Sequence, residues 1–309
     1  MSSKIKEFIT NPALVFMTLG QRGVFNWMND ITYLKIAYRI KMGKKLNLDS
    51  PETLNEKLQW IKLYDHRPEY TQMVDKYNAK RYIAEHVGEQ YVVPNLGVWD
   101  SFDDIDIDSL PDKFVLKCTH DSGGVVICTD KSKWDPKKAK TKINRCLKHN
   151  YYWGQREWAY KDVKPRIIAE KYMTDESENE LKDYKIFCFN GRAEYVEVDF
   201  NRWVKHKLNP YDFDWNPLNF CDKSKNDYLA NIPRPKHLEE MRTVAEKISQ
   251  NYPFLRVDFY SIYDQLYIGE LTLYPGSGYI QFNPPEVDLK YGKILNLGKK
   301  SNTAGNRNC

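Results

Sequence analysis

Asp258 and Glu270 stand in two short alternating runs, Arg256-Val-Asp-Phe-Tyr260 and Tyr267-Ile-Gly-Glu-Leu-Thr-Leu273, which read as the two arms of a β-hairpin. Asp264 supplies a turn signal between them. With the turn centred on Asp264, position 258 pairs with 270 and 256 with 272, which sets the two carboxylates about 5 Å apart across the strands. Like charges so placed repel unless a cation lies between them, and hard oxygen ligands beside phosphate groups are what Mg²⁺ prefers. The plainer alternative is a solvated hairpin with two exposed acids, or a surface pair between Arg256 and Asp258.

Three other places offer partners to an anionic, phosphate-bearing ligand. Phe114-Val-Leu-Lys117 reads as a strand running into Thr119-His-Asp-Ser122-Gly123-Gly124, whose glycines leave backbone N–H groups free to approach phosphate oxygens. Lys185 alternates with Phe187 and Phe189 on one face of its strand. A lysine on an otherwise apolar face needs an anion, or else a sheet rim from which to snorkel. Glu170 follows Ile167-Ile-Ala and is of a type to accept from an adenine amine or a ribose hydroxyl, or to meet solvent at a strand end.

An α+β chain is expected to position these groups. Residues 5 to 90 read as mainly helical: Ser50-Pro-Glu-Thr-Leu54 provides an N-cap and a first-turn proline ahead of Leu58 and Ile61, and a helix begun at Asp75 closes near Gly88. Val92 to Trp99 reads as an edge strand, because Pro94 has no N–H for a central ladder. A solvated loop over 103–108, strands over 114–118 and 125–129, a basic helix over 136–150, an irregular aromatic patch over 151–160 and a strand over 166–171 follow. Tyr184 to Phe189 and Ala193 to Val198 form a hairpin through Asn190-Gly191. An amphipathic helix over 237–250 leads into the carboxylate hairpin, and the polar tail from Lys299 is expected to be disordered. The expected division is a helical lobe over 1–74, a central lobe over 75–165, a C-terminal lobe over 166–298 and the tail over 299–309.

Forty-seven Lys and Arg against 42 Asp and Glu give a net charge of +5 over 309 residues, a balance that suits an anionic substrate and excludes a polybasic nucleic-acid binder. The six cysteines, at 118, 128, 146, 188, 221 and 309, form no CxxC pair and no metal-ligand spacing with the histidines. Reduced thiols in a cytoplasmic protein are therefore expected, without a zinc site. The apolar run Ala13 to Leu19 is too short to span a bilayer. Residues 4 to 28 are expected to form a helix packed on the protein's own core, with peripheral membrane contact as the alternative.

In their order along the chain, Asp75-Lys76, Lys117 with its glycine loop, Ile-Ile-Ala-Glu170-Lys171, Asp-Tyr-Lys185, Arg256-x-Asp258 and Glu270-x-Thr272 with Pro275-Gly276 resemble the ATP-grasp superfamily. More narrowly, Thr53-Leu-Asn-Glu-Lys-Leu-Gln-Trp60, Asp183-Tyr-Lys-Ile-Phe-Cys-Phe-Asn-Gly191 and Gly269-Glu-Leu-Thr-Leu-Tyr-Pro-Gly-Ser-Gly278 resemble its TupA-like branch, which is associated with teichuronopeptide and other surface-polysaccharide synthesis. The resemblance spans residues 50 to 295. It implies an ATP-grasp fold in which a helical N-terminal lobe precedes two α+β lobes that clasp ATP. Lys76 and Lys117 would hold its phosphates under a lid that includes Ser122, Gly123 and Gly124, while Glu170, Lys171 and the backbone through Met173 would line the adenine slot. Lys185 would face the phosphates and Arg256 would steady the transferring group. Asp258, Glu270 and Thr272 would hold Mg²⁺, as two ions bridged by Glu270 and replaceable by Mn²⁺. Thr272 stands where many relatives carry Asn, and the N-terminal lobe lacks the glycine-rich start of classical members.

The implied reaction is ATP-dependent ligation of a carboxylate to an amine through an acyl phosphate. In this branch the reaction would join an amino acid or amino alcohol to a uronic acid of a nucleotide sugar or glycan. Sugar and acceptor contacts are expected from Tyr151 to Lys161 and from Arg202-Trp-Val-Lys-His206. Three rivals remain at this level: a glycosyltransferase using Asp212-x-Asp214, a non-catalytic ATP-grasp-derived module, and a kinase that stops at phosphoryl transfer.

Overall fold

Residues 12–175, 181–201, 206–222, 226–227 and 229–298 are described by the structure, a computed structural model; the expectations for residues 4–11, for 202–205 and for the tail from Lys299 lie outside the described residues. Helices come first: α1 (Pro12–Gln21), α2 (Asp30–Met42), α3 (Leu54–Tyr64), α4 (Pro68–Val74) and α5 (Asn78–His86). Thr53, not Ser50, caps α3. Its hydroxyl accepts from the Glu56 N–H while the Glu56 carboxylate accepts from the Thr53 N–H, a reciprocal box that fixes the start at Leu54 and leaves Pro51 outside the helix.

Two antiparallel sheets follow. The first contains β1 (Asn95–Trp99), β2 (Phe114–Cys118), β3 (Val125–Cys128) and, after α6 (Pro136–Leu147) and the single turn α7 (Tyr152–Gln155), β4 (Ile167–Lys171), in the order β1-β4-β2-β3. β1 is an edge strand as expected, though it starts at Asn95, after Pro94, and β4, although it follows the expected boundary at 165, completes this sheet. The second sheet contains β5 (Asp183–Phe189), β6 (Arg192–Phe200), β7 (Lys207–Tyr211) and, beyond a two-residue strand β8 (Cys221–Asp222) and α8 (Leu238–Ser249), β9 (Phe254–Ile262) and β10 (Gln265–Thr272). Its order is β10-β9-β5-β6-β7. A two-residue β11 (Phe282–Asn283) pairs with β8, and α9 (Glu286–Ile294) ends the described chain.

The small sheet and α6 bury their own core around Phe114, Leu116, Ile143 and Ile167. The large sheet shares a second core with the N-terminal helices, from Tyr33, Leu54 and Leu58 to Phe187, Val257 and Tyr291. The helical segment thus buries its apolar face in a core shared with the large sheet. α1 joins that core through Met17 and Phe16, but it ends at Gln21, and residues 22–27 form turns where the helix was expected to continue to 28.

Helix α3 carries an unusual buried face. Asn55, Gln59 and Lys62, at helical spacing, are fully or almost fully buried and polar. Each finds its partners in the turn after the carboxylate hairpin. The Asn55 amide donates to the Ile280 carbonyl (2.8 Å) and accepts from the Ile280 N–H (2.8 Å); the Gln59 amide donates to Ser277 O (3.0 Å) and Gly278 O (2.7 Å); the Lys62 ammonium donates to Ser277 O (2.7 Å) and to Gln155 O (3.0 Å). Ser277 has a φ of 55°, in the left-handed region that a serine adopts at a cost of about 1–3 kcal/mol, so this turn needs external support. Replacing Gln59 by Leu removes two donors from buried carbonyls and is expected to lower stability by about 1–3 kcal/mol. Chemical denaturation of the two proteins measures it.

Candidate active site

The carboxylate hairpin forms with the pairing expected at its base and a different one at its tip. Near the turn Gln265 pairs with Ile262 and Tyr267 with Tyr260, so the turn centres between Tyr263 and Asp264. A bulge at Gly269 then restores the pairs Asp258 with Glu270 and Arg256 with Thr272. A Cβ at Gly269 would stand 2.5 Å from the Tyr260 ring, so any larger residue there must displace that side chain. On the other side of β9, Asp258 pairs with Lys185, and Lys185 in turn with Glu197. Glu270, Asp258, Lys185 and Glu197 thus form one row of charges across β10, β9, β5 and β6.

Arg256 grips Asp258 with two parallel bonds, Nε to Oδ1 and Nη2 to Oδ2, both 2.7 Å, and its Nη2 also donates to Thr272 Oγ1 at 3.0 Å. Thr272 therefore steadies the guanidinium and does not line the cleft. Lys185 is paired with Asp199, whose same oxygen lies 3.2 Å from His206 Nε2. Burial and Arg256 push the Lys185 ammonium down, but Asp199, Glu197 and Asp258 outweigh them and hold it above its ordinary range. Burial drives the Asp258 carboxyl up to about 6 against the pull of Arg256. Glu270 behaves differently: burial acts upward, yet Lys76, Arg256, Lys117 and Lys185 bring its carboxyl below the usual value. No hydrogen bond or ion pair joins the Glu270 side chain to any described residue. A carboxylate held ionised and left without a contact partner is the feature a divalent cation fits.

The small sheet supplies the opposite wall. Glu170 lies between two lysines, with Lys117 Nζ and Lys80 Nζ each 2.5 Å from one of its oxygens, and Lys80 also donates to Val93 O. Burial alone would raise the Glu170 carboxyl, but the two ammonium groups bring it to about 2. Lys80 was absent from the sequence expectations; it sits in the first turn of α5, whereas Lys76 lies in the turn before that helix. Lys76 donates to the Asp121 carbonyl and so reaches the 119–124 loop. In that loop the expectation of free glycine N–H groups fails for Gly124, whose N–H donates to Asp121 Oδ1 (2.8 Å). Gly124 is needed instead for close approach, since a Cβ would lie 2.7 Å from the Cys118 side chain.

Between the two sheets lies a cavity of about 860 Å³. Val115, Ile127, Met173 and Leu181 make one part apolar, and Lys76, Lys117, Lys185, Arg256, Asp258 and Glu270 make the other charged. Ser122, Glu170 and Lys171 also line it, whereas Gly123, Gly124 and Thr272 do not. His206, from the segment expected to contact the acceptor, lines it too, as do Tyr172 in the stretch expected along the adenine and Asp183, to which the sequence gave no role. An apolar slot beside a cluster of cations is what a nucleotide's base and phosphates require.

Two expectations fall elsewhere. Tyr152, Arg156 and Tyr160 are buried: Arg156 packs its guanidinium 4.3 Å from the Tyr33 ring centre, and the Tyr152 hydroxyl donates to Asp30 (2.6 Å), so they serve the core rather than a sugar. Asp212 closes its own turn, accepting from the Asn216 N–H (2.7 Å) and side-chain amide (3.0 Å), away from the cavity.

A charged cleft between an antiparallel four-stranded sheet and a five-stranded one is the arrangement of an ATP-grasp fold. The chain belongs to the TupA-like ATP-grasp family, whose model matches residues 56–296. Among solved structures it is similar to D-alanine–D-alanine ligase from Bacillus anthracis complexed with ATP, at 16% identity over 65% of this chain and 55% of that one, with a TM-score of 0.40. It is similar to the ADP complex of N5-carboxyaminoimidazole ribonucleotide synthetase at 14% identity over 66% and 45%, TM-score 0.40, and to D-cycloserine synthetase at 15% over 74% and 71%, TM-score 0.43. The chain thus spans about half the length of the first two. No curated protein matches the sequence.

Glu170 generates a pH prediction. Its folded value is depressed, so its ion pairs stabilise the protein above the unfolded value of 4.5 and lose that contribution as pH falls from 4.5 towards about 2. The stability gap between wild type and Glu170→Gln is expected to shrink across that window, as read from denaturant midpoints at each pH.

Proposed function

We propose that the protein is an ATP-dependent carboxylate–amine ligase. The observation that carries this reading is the unpartnered, ionised Glu270 beside Asp258 in a cavity whose charged part also holds Lys76, Lys117, Lys185 and Arg256. Family membership supports it, and ATP with Mg²⁺ is the general equipment of ATP-grasp enzymes. Glu270 and Asp258 would hold Mg²⁺, as one or two ions that Mn²⁺ can replace, and the bound metal offsets phosphate charge. The adenine ring would take the apolar part of the cavity along Lys171 to Met173, with Glu170 holding Lys117 in place rather than reading the base.

Arg256 and Lys185 are the groups positioned to stabilise the phosphoryl group as it passes from ATP to the substrate carboxylate, because both are fixed by ion pairs and aligned before substrate arrives. An amine then displaces phosphate from the acyl phosphate to form the amide. No protein nucleophile is required. By the family's association we infer a uronic acid on a nucleotide sugar or glycan as the carboxylate and an amino acid or amino alcohol as the amine, within surface-polysaccharide synthesis. We place the reaction in the cytoplasm, where ATP is supplied. No described helix is long and apolar enough to cross a membrane.

Thermal unfolding with Mg·ATP is the direct test. A ligand at a hundred times its dissociation constant stabilises the folded state by about 2.7 kcal/mol. Glu270→Gln is expected to reduce the Mg·ATP shift and abolish turnover while retaining the fold, and near wild-type turnover in this variant would remove the metal assignment. Lys117→Ala is expected to weaken nucleotide affinity at least tenfold in a direct titration. Hydroxylamine added during turnover separates ligase from kinase: an acyl phosphate yields a hydroxamate, a phosphoester none. A shift with nucleotide sugars and none with ATP would instead favour a glycosyltransferase.

A further inference from the structure

Spacing along the chain gave the cysteines no metal-binding pattern, but folding brings two of them together. The sulfurs of Cys118 and Cys146 and a carboxylate oxygen of Asp121 all lie within 4.8 Å of one another. Cys118 ends β2, Cys146 lies in the last turn of α6, and Asp121 sits in the loop between β2 and β3. Cys118 is fully buried, while Asp121 and Cys146 are half-buried, so the cluster has a closed back and an open front.

The neighbouring His120 ring, 2% exposed, packs against the same place, with Nε2 donating to the Cys146 carbonyl at 3.1 Å, but neither of its ring nitrogens joins the three-donor cluster.

We propose that Cys118, Asp121 and Cys146 form a three-donor site, open on its half-buried side, for a thiophilic divalent cation of the Zn²⁺ class. Two sulfurs and a single carboxylate are donors that suit Zn²⁺, whereas the all-oxygen pair Asp258 and Glu270 suits Mg²⁺. The two sites are thereby separated by ligand softness. Burial and Asp121 hold both thiols protonated at neutral pH, with Cys146 raised to about 11, so binding one ion releases two thiol protons to solvent. Because the Asp121 carboxylate also holds the Gly124 N–H, an ion here ties the end of β2, the 119–124 loop and the end of α6 to one point.

The test uses the full reduced chain and needs no nucleotide, so it stands apart from the ligase reading. Titration with Co²⁺ is expected to produce thiolate-to-cobalt charge-transfer absorption that saturates at one equivalent, is displaced by Zn²⁺, disappears in Cys146→Ser and persists in Cys221→Ser. Absence of the band in the wild type, or its survival in Cys146→Ser, overturns the proposal. Should Cys146→Ser fail to fold, alkylation of the wild type decides. Zn²⁺ is expected to slow iodoacetamide labelling of Cys146 at least tenfold while leaving Cys221 unchanged, and equal labelling with and without Zn²⁺ overturns the proposal.

Discussion

Charges withdrawn from water must find opposite charges, and that constraint organises the whole cleft. Several kcal/mol per ion are lost on burial unless partners lie within contact distance. In the large sheet Arg256 does this for Asp258 and Asp199 for Lys185, while Glu270, set opposite Asp258 by the strand register, has only the more distant cations Lys76, Arg256, Lys117 and Lys185. In the small sheet Glu170 does it for two lysines at once. Cations fixed in this way have little to reorganise when a polyanion arrives, which is the condition under which electrostatic stabilisation is effective.

Placement of the cleft then depends on elements far from it. The turn after β10 takes a left-handed conformation at Ser277, and α3 holds it there through Asn55, Gln59 and Lys62. Leu54, Leu58 and Ile61 of the same helix bury into the core shared with the large sheet. One helix therefore packs hydrophobically to the sheet and hydrogen-bonds to the loop that the sheet projects.

The hairpin was legible from sequence because a period of two and a turn residue suffice to pair Asp258 with Glu270; the Gly269 bulge that keeps this pairing true had no signature beyond the glycine itself. The Asn190-Gly191 hairpin and the edge position of β1 were legible for similarly local reasons. Lys80, the polar stripe of α3 and the Cys118–Cys146 approach were not, because each is defined by a partner distant in sequence. Aromatic density over 151–160 suggested a sugar platform, yet composition does not say which face a ring presents, and the fold turns Tyr152 and Tyr160 inward. The two-residue strands β8 and β11 are too short to carry any pattern.

The α3 stripe also bears on how the chain matures. Asn55, Gln59 and Lys62 precede their loop partners by 225, 218 and 215 residues. At the usual pace of synthesis the partners emerge roughly 10 to 45 seconds after the helix does. Throughout that interval the nascent α3 presents three polar groups on the face it will later bury, which keeps that face compatible with water until the last strands arrive.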